Sequence, residues 1–154
     1  MEIYQDFKEW LELLNANQVD YVLAGAHALA FYGSPRYTGD LDVVIKPEPE
    51  NARRILHALK KFGFESLNLS VQDLIQPESV IQLGFPPVRI DMITTLTGLN
   101  WQQIESGKVK GKFGTVEVFY LGKKEFIENK KALGRKKDLA DIEAIERVDK
   151  TSQK

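Results

Sequence analysis

Apolar residues fall at Ile3, Phe7, Trp10, Leu11 and Leu14, with polar residues between them. This spacing of three and four predicts an amphipathic helix over residues 3–15. A polar turn, Asn15 to Asp20, leads to the continuous apolar run Tyr21-Val22-Leu23-Ala24, which reads as a strand over 21–24. Gly25 breaks that run. Small and apolar residues over 26–33 read as a short helix, ended by Gly33-Ser34-Pro35 because proline cannot continue a helix. Arg36-Tyr37-Thr38-Gly39 and Asp40-Leu41-Asp42 then lead into Val43-Val44-Ile45, a strand over 41–45 stopped by Pro47 and Pro49. Ala52, Ile55, Leu56, Leu59 and Phe62 lie on one face of a helix over 49–62, and Gly63 suits its C-cap.

The second half is more broken. Residues 64–66 read as a short strand and 71–74 as a helical turn. Two strands, 80–84 and 88–93, flank Phe85-Pro86-Pro87 and predict a hairpin. A short helix over 99–107, strands over 108–113 and 115–120, and helices over 125–133 and 136–145 complete the chain. Leu139, Ile142 and Ile145 supply the apolar face of the last helix. The polar end, 148–154, reads as a frayed tail. Helices fall among strands without regular alternation. The expected class is therefore α+β: one domain over 1–147, with a mixed sheet built from 21–24, 41–45 and 88–93 and helices packed on one face. The first strand is followed by Gly25-Ala26-His27-Ala28, not by G-x-G-x-x-G, which argues against a dinucleotide site.

Composition narrows the chemistry. The 154 residues are 43% hydrophobic and 28% charged, an ordinary globular balance for a single full core. No cysteine is present, which excludes disulfides, zinc–thiolate sites and thiol nucleophiles. A net charge of -1 gives no global basic footprint for nucleic acid, leaving only the local basic run Lys130 to Lys137. No apolar stretch approaches the ~18–20 residues of a membrane span, and the first ten residues lack a signal-peptide pattern, so a cytoplasmic protein is expected.

Two aspartates spaced i,i+2 at the head of a strand point the same way. Asp40 and Asp42 therefore repel unless water or a cation lies between them. Hard carboxylate oxygens suit Mg²⁺ or Mn²⁺, although a solvated turn before an edge strand explains the pair equally simply. Asp91 sits in mid-strand on the face shared by Arg89 and Ile93, and needs either an ordinary salt-bridge partner, Arg89 or a lysine, or a metal shared with Asp40 and Asp42. Three carboxylates from neighbouring strands suit a two-metal phosphoryl-transfer centre. Gly25, at a strand-to-helix junction, either makes a tight turn or lets backbone approach a phosphate. Arg36 serves either as a salt bridge to Asp40 or Asp42 or as a phosphate clamp. His27, among apolar neighbours, reads as a local hydrogen-bonding residue.

The segment LAGAHALAFYGSPRYTGDLDVVI resembles the nucleotidyltransferase superfamily, with its polymerase beta-like fold. It is similar in particular to small AbiEii-like bacterial nucleotidyltransferases of toxin–antitoxin type, through Gly25, Ala26, Ala28, Gly33, Arg36, Thr38, Asp40 and Asp42. VIQLGFPPVRIDMIT and NKKALGRKKDLADIEAI look like the second and third signatures, in the same order. The resemblance implies transfer of a nucleoside monophosphate from an NTP to a hydroxyl, with Mg²⁺ or Mn²⁺ on Asp40, Asp42 and Asp91 and Asp91 as a general base. It implies phosphate contacts at Gly25, Ala26, Arg36, Thr38, Lys130 and Lys137. It places Asp138 in the third signature beside the active site, where it could equally tie the start of the last helix. Ala26 departs from the family's Gly or Ser, so only its backbone N–H can serve a phosphate. The implied acceptor is a tRNA end, a cognate partner protein or a small molecule. The alternative is a catalytically weak nucleotide-binding or partner-binding module of a toxin–antitoxin pair.

Overall fold

The computed structural model describes residues 4–152. Helix α1, Gln5–Ala16, buries Phe7, Trp10, Leu11 and Leu14, the face its spacing predicts; Ile3 lies outside the described residues. Strand β1, Tyr21–Leu23, follows, then helix α2, Gly25–Phe31, and strand β2, Asp40–Ile45. Helix α3, Pro49–Phe62, has proline in its first turn, where no N–H is missed, and ends at Gly63 with φ 93°. Residues 64–66 do not form the expected strand: Glu65–Leu67 is a 3-10 turn, closed by Asn68 in the left-handed conformation. Helix α4, Val71–Ile75, has a capping box between Ser70 and Asp73.

Strands β3, Val80–Leu83, and β4, Arg89–Ile93, form the expected antiparallel hairpin. Helix α5, Trp101–Gly107, and a second antiparallel hairpin, β5, Val109–Phe113, with β6, Val116–Tyr120, follow. Helix α6, Lys123–Leu133, is separated from α7, Lys136–Ser152, by Gly134 at φ 66°. The last helix thus takes in residues 148–152, the described part of the expected tail. Its buried side chains are Ile142 and Ile145, whereas Leu139 is 49% exposed: the buried positions of its first turns go to Asp138 and Asp141 instead.

The chain is one α+β domain around a six-stranded mixed sheet in the order β3-β4-β2-β1-β6-β5. β1 runs antiparallel to β2, and both central pairs with distant strands, β2 with β4 and β1 with β6, are parallel. Tyr21, Leu23, Leu41, Val43, Ile45, Ile90 and Met92 share one buried face by alternation and register. Helix α1 lies on this face: the Tyr21 hydroxyl donates to Asn15 Oδ1 at 2.9 Å. Val22 and Val44 point the other way and are also buried, at 0% and 1% exposure. The centre of the sheet is therefore covered on both sides, not on one as its alternation suggested. The carboxylates at the head of β2 lie on the second side.

Candidate metal centre

Parallel pairing of β2 with β4 sets Asp42 opposite Asp91, and Asp40 opposite Arg89. All four side chains therefore emerge on one face. An oxygen from each of Asp40, Asp42 and Asp91 lies within 4.8 Å of the other two. Asp40 and Asp42 are half-buried, and Asp91 is 7% exposed.

Their partners differ. Arg89 reaches across: its Nη2 donates to Asp40 Oδ2 at 2.7 Å and to Asp91 Oδ2 at 3.1 Å, and its Nε donates to Asp91 Oδ1 at 2.9 Å. The Thr38 hydroxyl donates to the remaining Asp40 oxygen, Oδ1, at 2.8 Å. Thr38 thus orients a carboxylate. Among the described residues, no hydrogen bond or ion pair reaches the carboxylate of Asp42. Burial pushes the Asp42 carboxyl up to about 7, and the charges of Asp40 and Asp91 push the same way, against a smaller pull from Lys130 and Arg89. Burial also raises Asp91, opposed by its bonds to Arg89. Arg89 is itself raised, chiefly by the Asp91 hydrogen bond.

Gly25 sits directly behind Asp42. Its φ is 63°, and a Cβ there would collide with Asp42 Oδ2 and stand 3.0 Å from Asp42 Cγ. Both the conformation and the contact require glycine. Ala24 N donates to Asp42 O at 3.0 Å, which holds the junction against β2. Ala26 is buried, with 8% exposed. His27 is packed between Phe7 and Phe113, at ring distances of 5.9 and 5.2 Å. Burial lowers its pKa, and its Nε2 has no hydrogen-bond partner. Gly33 lies elsewhere, against Val148 of α7. Thr38 and Arg36 border a cavity of about 380 Å³, walled by Phe7, His27, Pro35 and Tyr37.

No family model and no curated protein matches the chain. The roles of these residues are read from their chemistry and positions.

The basic run of the α6–α7 junction is organised around two buried acids. Lys130 Nζ lies 3.2 Å from Asp141 Oδ2 and 3.5 Å from Asp138 Oδ1. Arg135 grips Asp138 with Nε at 2.6 Å and Nη2 at 3.1 Å, and the Arg135 backbone N–H donates to Asp138 Oδ2 at 3.1 Å. These bonds to Arg135, led by its side chain, hold the Asp138 carboxyl down at about 2 despite burial. Asp138 is the helix-start tie considered among its alternatives. Arg36 pairs with Asp141 at 3.4 Å, not with Asp40 or Asp42. Asp141 thereby joins the loop before β2 to α6 and α7. Lys137 is exposed and has no ion pair among the described residues.

Of the expected site residues, the fold gathers Asp40, Asp42, Asp91, Gly25 and Thr38 at one point. Arg36 and Lys130 meet at Asp141. Arg89 was expected only as a salt-bridge partner of Asp91. It spans two carboxylates, and the signal was its place two residues before Asp91 on the same strand face.

The donor set fits a hard divalent cation. Two oxygens on one Mg²⁺ stand roughly 3–4.2 Å apart, given bonds of about 2.0–2.1 Å and octahedral angles. A span of 4.8 Å is within a small side-chain adjustment of that geometry. The donors are all carboxylate, and the half-buried Asp42 has no ion-pair partner among the described residues.

Proposed function

We propose that the chain transfers a nucleoside monophosphate from an NTP to a hydroxyl acceptor. The observation that carries this reading is the unpaired carboxylate of Asp42 within 4.8 Å of those of Asp40 and Asp91. One guanidinium, Arg89, stands against the three carboxylates, so a further positive charge would stabilise the cluster. Asp40, Asp42 and Asp91 would hold Mg²⁺ or Mn²⁺, which would supply neutralisation of polyphosphate oxygens and polarisation of the attacking hydroxyl. In the reaction the hydroxyl oxygen forms a bond to the α-phosphorus and the bond to pyrophosphate breaks. The proton goes to a carboxylate of the cluster: Asp91, the expected general base, once Arg89 no longer holds its oxygens, or Asp42, whose oxygens have no partner among the described residues. Thr38 fixes Asp40. Gly25 and Ala26 offer backbone beside Asp42, and Arg36, Lys130 and Lys137 are the cations for the polyphosphate or for an acceptor such as a tRNA end, a partner protein or a small molecule. Most of the rate enhancement comes from positioning and charge neutralisation.

A specific observation favours a second reading. Arg89 already pairs with two of the three carboxylates. In a nucleotide-binding or partner-binding module, that clamp would be the permanent state. The two readings separate on transfer of label from each α-labelled NTP, with Mg²⁺ or Mn²⁺, to total RNA or lysate. Transfer that disappears in Asp42→Ala supports the enzyme. Nucleotide binding with no transfer to any acceptor refutes it in favour of the module.

A further inference from the structure

Among the described residues, Arg89 is the one cation paired with the carboxylate cluster. Its guanidinium holds three of the four oxygens of Asp40 and Asp91, at 2.7 to 3.1 Å. Thr38 takes the fourth. Each of these four oxygens already accepts a hydrogen bond, so a divalent ion competes with the guanidinium for them. Gly25 backs Asp42. At the same time the Arg89 side chain is 27% exposed, so it has room to leave towards solvent. No lysine or arginine other than Arg89 forms an ion pair with Asp40 or Asp91 among the described residues.

Resting on the nucleotidyl-transfer reading, we propose that Arg89 is a resident counter-ion that a divalent cation displaces and that then pairs with the polyphosphate arriving with it. A displaced guanidinium needs a new anion, and its planar fork suits phosphate oxygens as well as it suits carboxylates. The nucleotide offers that anion. Cation and nucleotide thus bind with positive coupling: each favours the arrangement in which Arg89 has left Asp40 and Asp91. Asp40 and Asp91 keep a cation beside them when both ligands are absent. A free metal ion alone must break two charge-assisted pairs and is held weakly. Arg89 is a gate on metal occupancy and a contact for phosphate, acting without a hinge or lid.

The test is a Mn²⁺ titration followed by electron paramagnetic resonance, on the full chain, with and without a non-hydrolysable NTP analogue. The proteins are wild type, Arg89→Met and Arg89→Lys, each checked for folding by circular dichroism. Arg89→Met should bind Mn²⁺ alone about tenfold more tightly than wild type, because the ion no longer displaces charge-assisted hydrogen bonds. The analogue should tighten Mn²⁺ on wild type by about tenfold or more, and on Arg89→Met by much less. Arg89→Lys should fall between them, since a lysine keeps the charge without the fork. A second measurement needs no variant: the Arg89 Nε–H proton should exchange faster with solvent when Mg²⁺ and the analogue are added together than with either alone. Equal Mn²⁺ affinity and equal coupling in wild type and Arg89→Met would overturn the gate while leaving the metal centre in place. Mn²⁺ binding by neither protein, unchanged in Asp42→Asn, would overturn both the gate and the proposed function.

Discussion

Replacing Asp42 by Asn should stabilise the metal-free protein, and the gain should depend on pH in one direction only. The carboxyl of Asp42 rises from an ordinary value of 3.8 to about 7 in the folded chain, first through burial and then through Asp40 and Asp91. A folded value above the unfolded one means that the folded state holds the proton more tightly. Stability is therefore full below about pH 4, declines as pH rises through the interval from about 4 to 7, and reaches its lowest level above 7. The shift corresponds to about 4 kcal/mol at most. Partial exposure and relaxation of the cluster reduce this to about 2 kcal/mol, a figure in line with carboxylates that share a site. For a chain of this size that is about 4–8 °C in melting temperature. Asn keeps the shape of Asp and carries no charge, so thermal melts at pH 8 in chelator should show the full gain and melts at pH 4.5 only a small part of it. Mg²⁺ should raise the melting temperature of wild type at pH 8 and leave the Asn variant nearly unmoved. A gain of equal size at both pH values, or none at pH 8, would refute the reasoning, since neither burial nor the like charges would then be raising Asp42.

Three further outcomes follow from the same neighbourhood. Gly25→Ala should destabilise the fold by about 2 kcal/mol or more in denaturant titrations, from the left-handed backbone penalty together with displacement of Asp42, and should weaken Mn²⁺ binding. Thr38→Val removes the donor to Asp40 Oδ1; any label transfer should drop by about tenfold while the melting temperature shifts by only a few degrees, a split visible by assaying both. Asp138→Asn takes a charged partner from the half-exposed Arg135 and from Lys130, which keeps Asp141, and should cost about 2 kcal/mol at pH 7. Because the Asp138 carboxyl is held down at about 2 by Arg135, the wild-type advantage should be present above pH 4 and fade as pH falls towards 2, which acid titrations of both proteins would read.

Local signals carried much of the fold. The spacing of Phe7, Trp10, Leu11 and Leu14 defined the buried face of α1, and Gly63 marked the end of α3, because both depend only on neighbours within a turn or two. The stretch after Gly63 was misread: Phe64-Glu65-Ser66 has strand-like composition but no partner strand, and a three-residue piece without a partner closes on itself instead. Leu139 was misread for a related reason. A helical period gives a face but not which polar residues compete for it, and Asp138 and Asp141 are drawn inward by Arg135, Lys130 and Arg36, the last of them a hundred residues distant in the chain. The convergence of Asp40, Asp42 and Asp91 was legible as a suspicion from alternation alone. Its geometry was not, because it depends on parallel pairing between β2 and β4, with helices and a further strand between them in sequence. The double attachment of Arg89 depends on that same pairing.

The pairing of β2 with β4 also has something to keep it true. A shift of β4 by one residue would turn Ile90 and Met92 towards Asp40 and Asp42 and send Arg89 and Asp91 into the apolar side occupied by Leu41 and Val43. A shift by two in one direction would set Asp91 against Asp40 with Arg89 beyond the end, so that Asp40 would lose the cation that the observed alignment places opposite it. In the other direction it would set Asp91 against Val44, which is 1% exposed. The observed alignment sets Arg89 beside both Asp40 and Asp91. The Arg-x-Asp of one strand facing the Asp-x-Asp of the other thus favours one strand alignment during folding.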